Sequence, residues 1–531
     1  MRGCIAADVA GSALPRNGRD AVWWAEEVLS RRCFPTDYEQ AAASGAKGGN
    51  YRPFQIAVSE STARVTFVRA GCGSGKTTAA YLWASRRTKC SRLYVCYPTT
   101  GTATEGFRDY IADNIPLPLS ALLHGRSEVD LEIFFETNED DSIASLQRIN
   151  ALESWDAPMV VCTVDRVLGI IQNSRLPLFG TPTLMNAAFV FDEIHLYDER
   201  LFGALLHFLQ IFRGAPVLLM TASLSAARLE AIRRVLAAQG EELCTIAGDS
   251  RLESLERYRF RGLVDDPIDA IRETIALGGK VLWVSNTVRQ CIRAFAKLLA
   301  GGMNPIPYHS RYRYIDRLKR HSAVIEAFRS TGPALAVTTQ VCEISLDLSA
   351  DLLVTEIAPI PALIQRLGRL NRRASPDRPT DLREAVFLRP PYPMPYEQDE
   401  LALASKWMNS LIGKPLSQRD LAESFEALCC DSPPVPVNCA WLDGGLLSSQ
   451  APLRDAGTTI PVVRGEDRNQ CLENGGRIAR TEVLKNTIPM PLGPVAKEIP
   501  NWTRAANALI SPVGRISYDP LMGATWTKGA D

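Results

Sequence analysis

From Ala63 onward, short apolar runs alternate with segments of helical spacing. Val65 to Arg69 reads as a strand and Lys76 to Ser85 as a helix opening from a glycine loop. Leu93 to Cys96, Pro158 to Cys162, Ala188 to Phe191 and Pro216 to Met220 read as further buried strands. Each is followed by a segment of helical period, and that alternation predicts a parallel sheet covered on both faces. The alternation restarts at Val281 to Ser285 and continues through Ile306 to Tyr308, Ala334 to Val337, Leu352 to Thr355 and Ala385 to Leu388. A second domain of the same class is therefore expected behind the first.

The pattern changes near Tyr392. Ser432-Pro433-Pro434-Val435-Pro436-Val437 reads as a stiff polyproline-like connector, and the remainder mixes glycine, proline and short apolar runs. A chain of 531 residues exceeds what one core supports, so about three domains are expected. The expected division is 1–50 as a lead segment, 51–262 and 263–392 as two tandem α/β domains, and 393–531 as linker and smaller C-terminal accessory domain.

Composition narrows the class. The 46% hydrophobic and 22% charged content is ordinary for a globular protein, and Lys plus Arg (59) equals Asp plus Glu (59). Any nucleic-acid contact must then be a local groove rather than a general basic field. The 13 cysteines lack Cys-x-x-Cys or zinc-like spacing, which fits reduced thiols. The N-terminus lacks a signal pattern, and the most apolar stretch, Leu201 to Leu224, is broken by His207 and Arg213. A cytoplasmic protein without a membrane partner is expected.

Candidate chemistry lies at the ends of the expected strands. Ala70-Gly71-Cys72-Gly73-Ser74-Gly75-Lys76-Thr77-Thr78 follows a strand and opens a helix, the context in which backbone amides close around phosphates. Lys76 would reach the β and γ phosphates of ATP and Thr77 would ligate Mg2+. Asp192 and Glu193 end the apolar run Ala-Ala-Phe-Val-Phe. Asp192 would hold hydrated magnesium, and Glu193 would orient and deprotonate the attacking water. Arg369 and Arg372 are three apart in a helical pattern beginning after Pro359 and Pro361, so they should share one face and could deliver arginine fingers, with Gln365 grouped beside them.

Thr99-Thr100, Thr163 with Arg166, Asn286-Thr287 and Thr338-Thr339 all fall just after expected strands, where hydroxyls and amides suit phosphate and sugar contacts. Thr221-Ala222-Ser223 would relay nucleotide state. Gln55, upstream of the glycine loop, could read the adenine edge. Arg311-Tyr312-Arg313-Tyr314 with Arg317, Lys319 and Arg320 could hold a single strand by phosphate neutralisation and base stacking. The order of phosphate cradle, acidic pair and paired arginines predicts a nucleic-acid-driven ATPase.

Together these segments resemble superfamily 2 helicases, DExH box, with two RecA-like domains. Asp192-Glu-Ile-His-Leu-Tyr-Asp198, Val337-Thr-Thr-Gln-Val-Cys-Glu-Ile-Ser-Leu-Asp-Leu348, and Asp351 to Pro359 running into Gln365-Arg366-Leu-Gly-Arg369 resemble the helicase part of the CRISPR type I effector helicase-nuclease. Tyr308-His309-Ser310-Arg311 and Cys162 to Arg166 agree. His309 and Thr339 join the candidate strand contacts. The resemblance implies that Asp347 contacts the ATP ribose and that Glu343 and Gln340 belong to a coupling segment. It also implies 3′ to 5′ movement on single-stranded DNA and recruitment by an RNA-guided, Cascade-like surveillance complex, with base pairing supplying specificity. Relatives usually carry a fused HD nuclease. The five histidines here (124, 195, 207, 309, 321) include none followed by aspartate, so a separate HD nuclease subunit is expected. A general superfamily 2 helicase acting on RNA or in repair, or an ATP-gated nucleic-acid clamp, are the alternatives.

Overall fold

The computed structural model describes residues 21–428 and 433–527, except 47–49, 88, 113, 116–118, 125–154, 156, 173, 175–176, 178–179, 379, 438–452, 454–458, 473–477 and 506–507. It divides into two compact units, one built from 1–253 with 426–455 and the other from 254–425 with 456–531.

The first unit is built on seven parallel strands: β1 Val65–Arg69, β2 Arg92–Tyr97, β3 Ser120–Leu123, β4 Met159–Thr163, β5 Ala187–Phe191, β6 Val217–Thr221 and β7 Cys244–Ala247. Their order is β3-β4-β2-β5-β6-β1-β7. Central strands β2, β4, β5 and β6 are buried along their whole length, the signature of a sheet with both faces covered. One face carries the stacked and edge-on rings of Phe189, Phe191, Phe208 and Phe212 at centroid separations of 4.3 to 6.2 Å. The other carries the helix Lys76–Ser85, almost wholly buried beneath the helices Pro35–Gly45 and Pro53–Glu60.

The second unit repeats the plan with β8 Tyr258–Leu263, β9 Lys280–Val284, β10 Ile306–Tyr308, β11 Ala334–Thr338, β12 Leu352–Glu356, β13 Arg383–Leu388 and the antiparallel edge strand β14 Pro415–Leu416. The order β10-β11-β9-β12-β13-β8-β14 is that of the first sheet, position for position. The strand β8 pairs with β13, so a boundary at 262 would cut a strand that belongs to the second sheet.

The accessory region is also divided. Residues 393–425 and 456–531 belong with the second unit, whereas 426–455 return to the first. Of the proline-rich connector, 433–437 are described. The Val437 N–H donates to Gly203 O at 3.1 Å, and a Cβ at Gly203 would stand 2.7 Å from Val437, so a glycine admits this strap onto the helix Glu199–Ile211. The C-terminal part forms a four-stranded sheet, β15 Thr459–Val463, β16 Ile488–Pro491, β17 Thr503–Ala505 and β18 Ala508–Ile510, and a hairpin, β19 Ile516–Asp519 with β20 Gly523–Trp526. Val462, Ile488, Met490, Trp502, Ile516 and Ala524 make its core. Among the described residues no helix is long and apolar enough to cross a membrane.

Candidate active site

In the first sheet β1, β6 and β5 lie side by side, so the segments leaving their carboxyl ends converge on one lip, where parallel-sheet ligands bind. The loop after β1 turns on Gly73 (φ 77°) and Gly75 (φ 91°), left-handed positions that cost a side chain about 1 kcal/mol or more. The Lys76 ammonium donates to Ala70 O at 3.0 Å and lies 3.4 Å from Glu193 Oε1. Burial pulls its pKa down, but the charge of Glu193 foremost, with the neighbouring carboxylates adding to it, outweighs this and keeps it charged.

Glu193 is itself left-handed (φ 47°), a strained conformation for a non-glycine residue. Burial alone would favour its protonated form; Lys76 and the His195 ring 3.3 Å away reverse that and hold its carboxyl below the usual range. Asp192 moves the opposite way, because burial and the Glu193 charge both favour its protonated form. His195 Nδ1 is 2.9 Å from Thr221 Oγ1, and Thr221 donates to Ser223 O at 2.8 Å. The hydroxyls after β6 thus stand beside the acidic pair, where the sequence reading puts a relay.

Among the described residues, Ser74 Oγ and Ser223 Oγ are buried without a hydrogen-bond partner. Two orphaned hydroxyls in the segments after β1 and β6 are costly unless something polar satisfies them. This donor set fits a triphosphate and its metal: Gly71, Gly73, Ser74, Gly75, Lys76 and Thr78 would form the cradle, and Thr77 with Asp192 would supply oxygens. Gln55 has a different task here. Its Nε2 donates to Gly75 O at 3.0 Å and its Oε1 accepts from the Arg52 N–H at 2.8 Å, so one end of the carboxamide holds the loop and the other caps the start of its own helix.

In the second unit the helix Ile360–Leu367 ends at Gly368, Leu370 bridges Ala350, and Asn371 turns left-handed (φ 50°). Arg369 and Arg372 therefore do not share a helical face, because the glycine and the bridge stop the helix first. Arg369 is buried and donates to Cys342 O at 2.9 Å and Glu343 O at 2.6 Å, capping the helix Val341–Ser345. Arg372 pairs with Asp347 at 3.0 Å. Gln365 is buried in the same layer.

The sequence reading passed over Arg366. It is fully buried, and its guanidinium donates to Glu343 Oε1 (2.8 Å), Thr355 Oγ1 (2.9 Å), Glu356 O (3.0 Å) and Asn286 Oδ1 (3.0 Å). Three segments at the carboxyl edge, the helix Val341–Ser345, the end of β12 and the turn after β9, are pinned by one side chain. Its signal was an arginine next to Leu363, Ile364 and Leu367 on the apolar face, where a charge survives only if paired.

The expected strand contacts divide by exposure. Asn286, Thr339, Thr163 and His309 are buried. The Asn286 amide donates to Ile357 O at 2.7 Å, and His309 stacks on Tyr312 at 4.4 Å, so neither presents a group to a strand. Thr99, Thr100, Arg166, Thr287 and Arg311 are half-buried at strand carboxyl ends. Thr99 and Thr287 are matching N-caps. Both are extended (φ −133° and −131°), both accept from the amide three residues on, and they follow β2 and β9, which occupy equivalent sheet positions.

The basic and aromatic segment is likewise reassigned. Tyr312 and Tyr314 are buried rather than open for stacking. The Ala524 N–H donates to Arg311 O at 2.7 Å, Arg313 lies over the Tyr518 ring at 4.9 Å, and Arg320 over Tyr312 at 5.3 Å. These aromatic faces gained more from covering by the C-terminal hairpin than from water.

Comparison with known proteins agrees with this geometry. The DEAD/DEAH box helicase model matches residues 52–232, and the C-terminal model of the CRISPR-associated nuclease/helicase Cas3 matches 277–375. A Myxococcus xanthus protein named as a CRISPR-associated nuclease/helicase Cas3 is 45% identical over 99% of this chain and 70% of its own length. The chain belongs to the Cas3 nuclease/helicase family. It spans 50% of the length of the Thermus thermophilus endonuclease/helicase Cas3, at 28% identity over 68% of this chain. The T. fusca Cas3-ATP crystal structure shares the fold, with a TM-score of 0.72 and 17% identity, covering 92% of this chain and 72% of that one. Both parallel-sheet domains and the smaller C-terminal sheets fall within that family fold.

Proposed function

We propose that the chain is an ATP- and Mg2+-dependent single-stranded DNA translocase, moving 3′ to 5′ from R-loops opened by an RNA-guided surveillance complex, with strand cleavage carried by a separate HD nuclease chain. The observation that carries the motor reading is the linked set Lys76, Glu193, His195 and Thr221 at the lip of the first sheet.

Lys76 is bound to its own loop and to Glu193 in this structure, and phosphate oxygens are better partners for an ammonium than backbone carbonyls. As Lys76 turns to the phosphates, Glu193 loses its strongest counter-charge and becomes more basic, which equips it to take a proton from the attacking water. Magnesium held by Thr77 and Asp192 would neutralise charge on the β and γ oxygens. Arg369 and Arg372 remain proposed as transition-state donors, each having to leave the partner it holds now. Asp347, freed from Arg372, would meet the ribose. His195 and Thr221 are placed to pass the state of Glu193 toward Ser223. Thr99, Thr100, Arg166, Thr287 and Arg311 would contact phosphates, which fixes a strand without reading it.

Turnover with single-stranded DNA, with RNA and without nucleic acid tests this directly. DNA should stimulate hydrolysis, Lys76→Ala and Glu193→Gln should each lower it by about a thousandfold, and Glu193→Gln should still bind ATP. Stimulation by RNA alone would favour a general helicase, and turnover without unwinding would favour a clamp.

A further inference from the structure

The chain leaves the first unit after Glu253 and re-enters it at Glu426. Both carboxylates are fastened to the start of the phosphate loop. Glu253 Oε1 accepts the Gly71 N–H at 2.8 Å, and Glu426 pairs with the Arg69 guanidinium. Gly248 makes the first contact possible: a Cβ there would stand 2.7 Å from Glu253 Oε1 and 2.8 Å from the Ala70 side chain.

The Gly71 N–H and the Ala70 carbonyl are the two ends of one planar peptide group. Lys76 holds the carbonyl end at 3.0 Å while Glu253 holds the amide end. A rigid plane held at both ends cannot release one without disturbing the other. When Lys76 exchanges Ala70 O for phosphate, the plane is free to rotate, and the Glu253 contact is lost or redirected. Arg69, the residue before this plane, carries the same disturbance to Glu426.

We propose that Glu253 and Glu426 are positioning residues that couple filling of the phosphate loop to the two chain segments leaving and re-entering the first unit, with the Ala70–Gly71 peptide as the lever. The inference rests on the nucleotide-binding reading above. Neither residue touches the nucleotide, and their role is transmission.

Hydrogen exchange on the full chain, with and without a non-hydrolysable ATP analogue and Mg2+, tests it. In the wild type the peptide spanning 70–78 should become protected while 250–257 exchanges about fivefold faster. In Glu253→Ala the 250–257 peptide should exchange about tenfold faster without nucleotide, the ratio expected for loss of a charge-assisted hydrogen bond, and should no longer respond. Gly248→Ala should behave the same way, and Glu253→Gln, whose amide oxygen still accepts, should retain the response. In Arg69→Glu the response of 421–428 should vanish, and Arg69→Glu/Glu426→Arg should restore it. For Glu253→Ala, base pairs opened per ATP should fall about tenfold while the KM for ATP stays within about twofold. Protection at 70–78 with 250–257 unmoved in the wild type overturns the coupling alone. Absence of protection at 70–78 overturns the nucleotide reading with it.

Discussion

Replacing Arg366 with methionine keeps much of its volume and removes its charge, leaving the buried Glu343 carboxylate without its 2.8 Å partner and withdrawing donors from Thr355, Glu356 O and Asn286. Removing one partner of a buried ion pair costs about 3–5 kcal/mol, because the remaining charge stays out of water. Each further acceptor left bare could add about 1–3 kcal/mol, although such terms overlap and do not sum. Against a total domain stability of about 5–15 kcal/mol, the loss should unfold the carboxyl edge of the second sheet first. Hydrogen exchange of a 352–367 peptide should accelerate by about a hundredfold or more, with a 187–211 peptide from the first unit unchanged as the internal control. Arg366→Met combined with Glu343→Leu removes the stranded charge and should recover most of the loss. A single variant that costs less than about 1 kcal/mol, or a double variant no better than the single, would refute the view of Arg366 as a hub.

Three further outcomes follow from packing and protonation. His309 is buried, and burial with the charges of Arg311 and Arg320 pushes its pKa down from the ordinary 6.5 to about 3. Its contribution to stability is therefore complete above pH 6.5 and lost as pH falls from there toward about 3. At pH 5 the second unit should be about 2 kcal/mol weaker by urea midpoint, and His309→Gln should remove that pH dependence. Phe208→Ala, at the centre of four rings, should cost the first unit about 3–5 kcal/mol by the same measurement. Gly523→Val should detach the hairpin, because Gly523 is left-handed (φ 75°) and a Cβ would stand 2.8 Å from His309 and also meet Arg311 O. Chymotryptic cleavage after Tyr518, within the hairpin, is the readout.

The legibility of this chain follows burial. Strands such as β5 and β6, apolar at every position, could be read directly, and the motifs at their ends came with them. The edge strands β3 and β7 were missed: both are four residues long, and β7 alternates half-buried with exposed. The strand β8 alternates buried with exposed and so read as a boundary. Lys76, Asp192 and Glu193 meet at one lip because each follows closely on a strand that could be read directly. Arg369 and Arg372 were placed on a helical face that Gly368 terminates, and the basic segment around Arg311 was assigned to solvent-facing work that a distant hairpin had already taken. Contacts separated by about 200 residues, such as Tyr518 with Asp316, leave no local pattern.

The strap at Val435 to Val437 bears on how the molecule comes apart. Because a piece beyond residue 425 packs on Gly203, a cut in the chain near 253 does not free the first unit, and ending the polypeptide at 425 strips that unit of part of its own surface. The two units are interleaved along the polypeptide rather than threaded in series. The first unit is complete only once the ribosome has passed 455, and a faithful half-molecule would need 1–253 joined to 426–455 by a designed bridge.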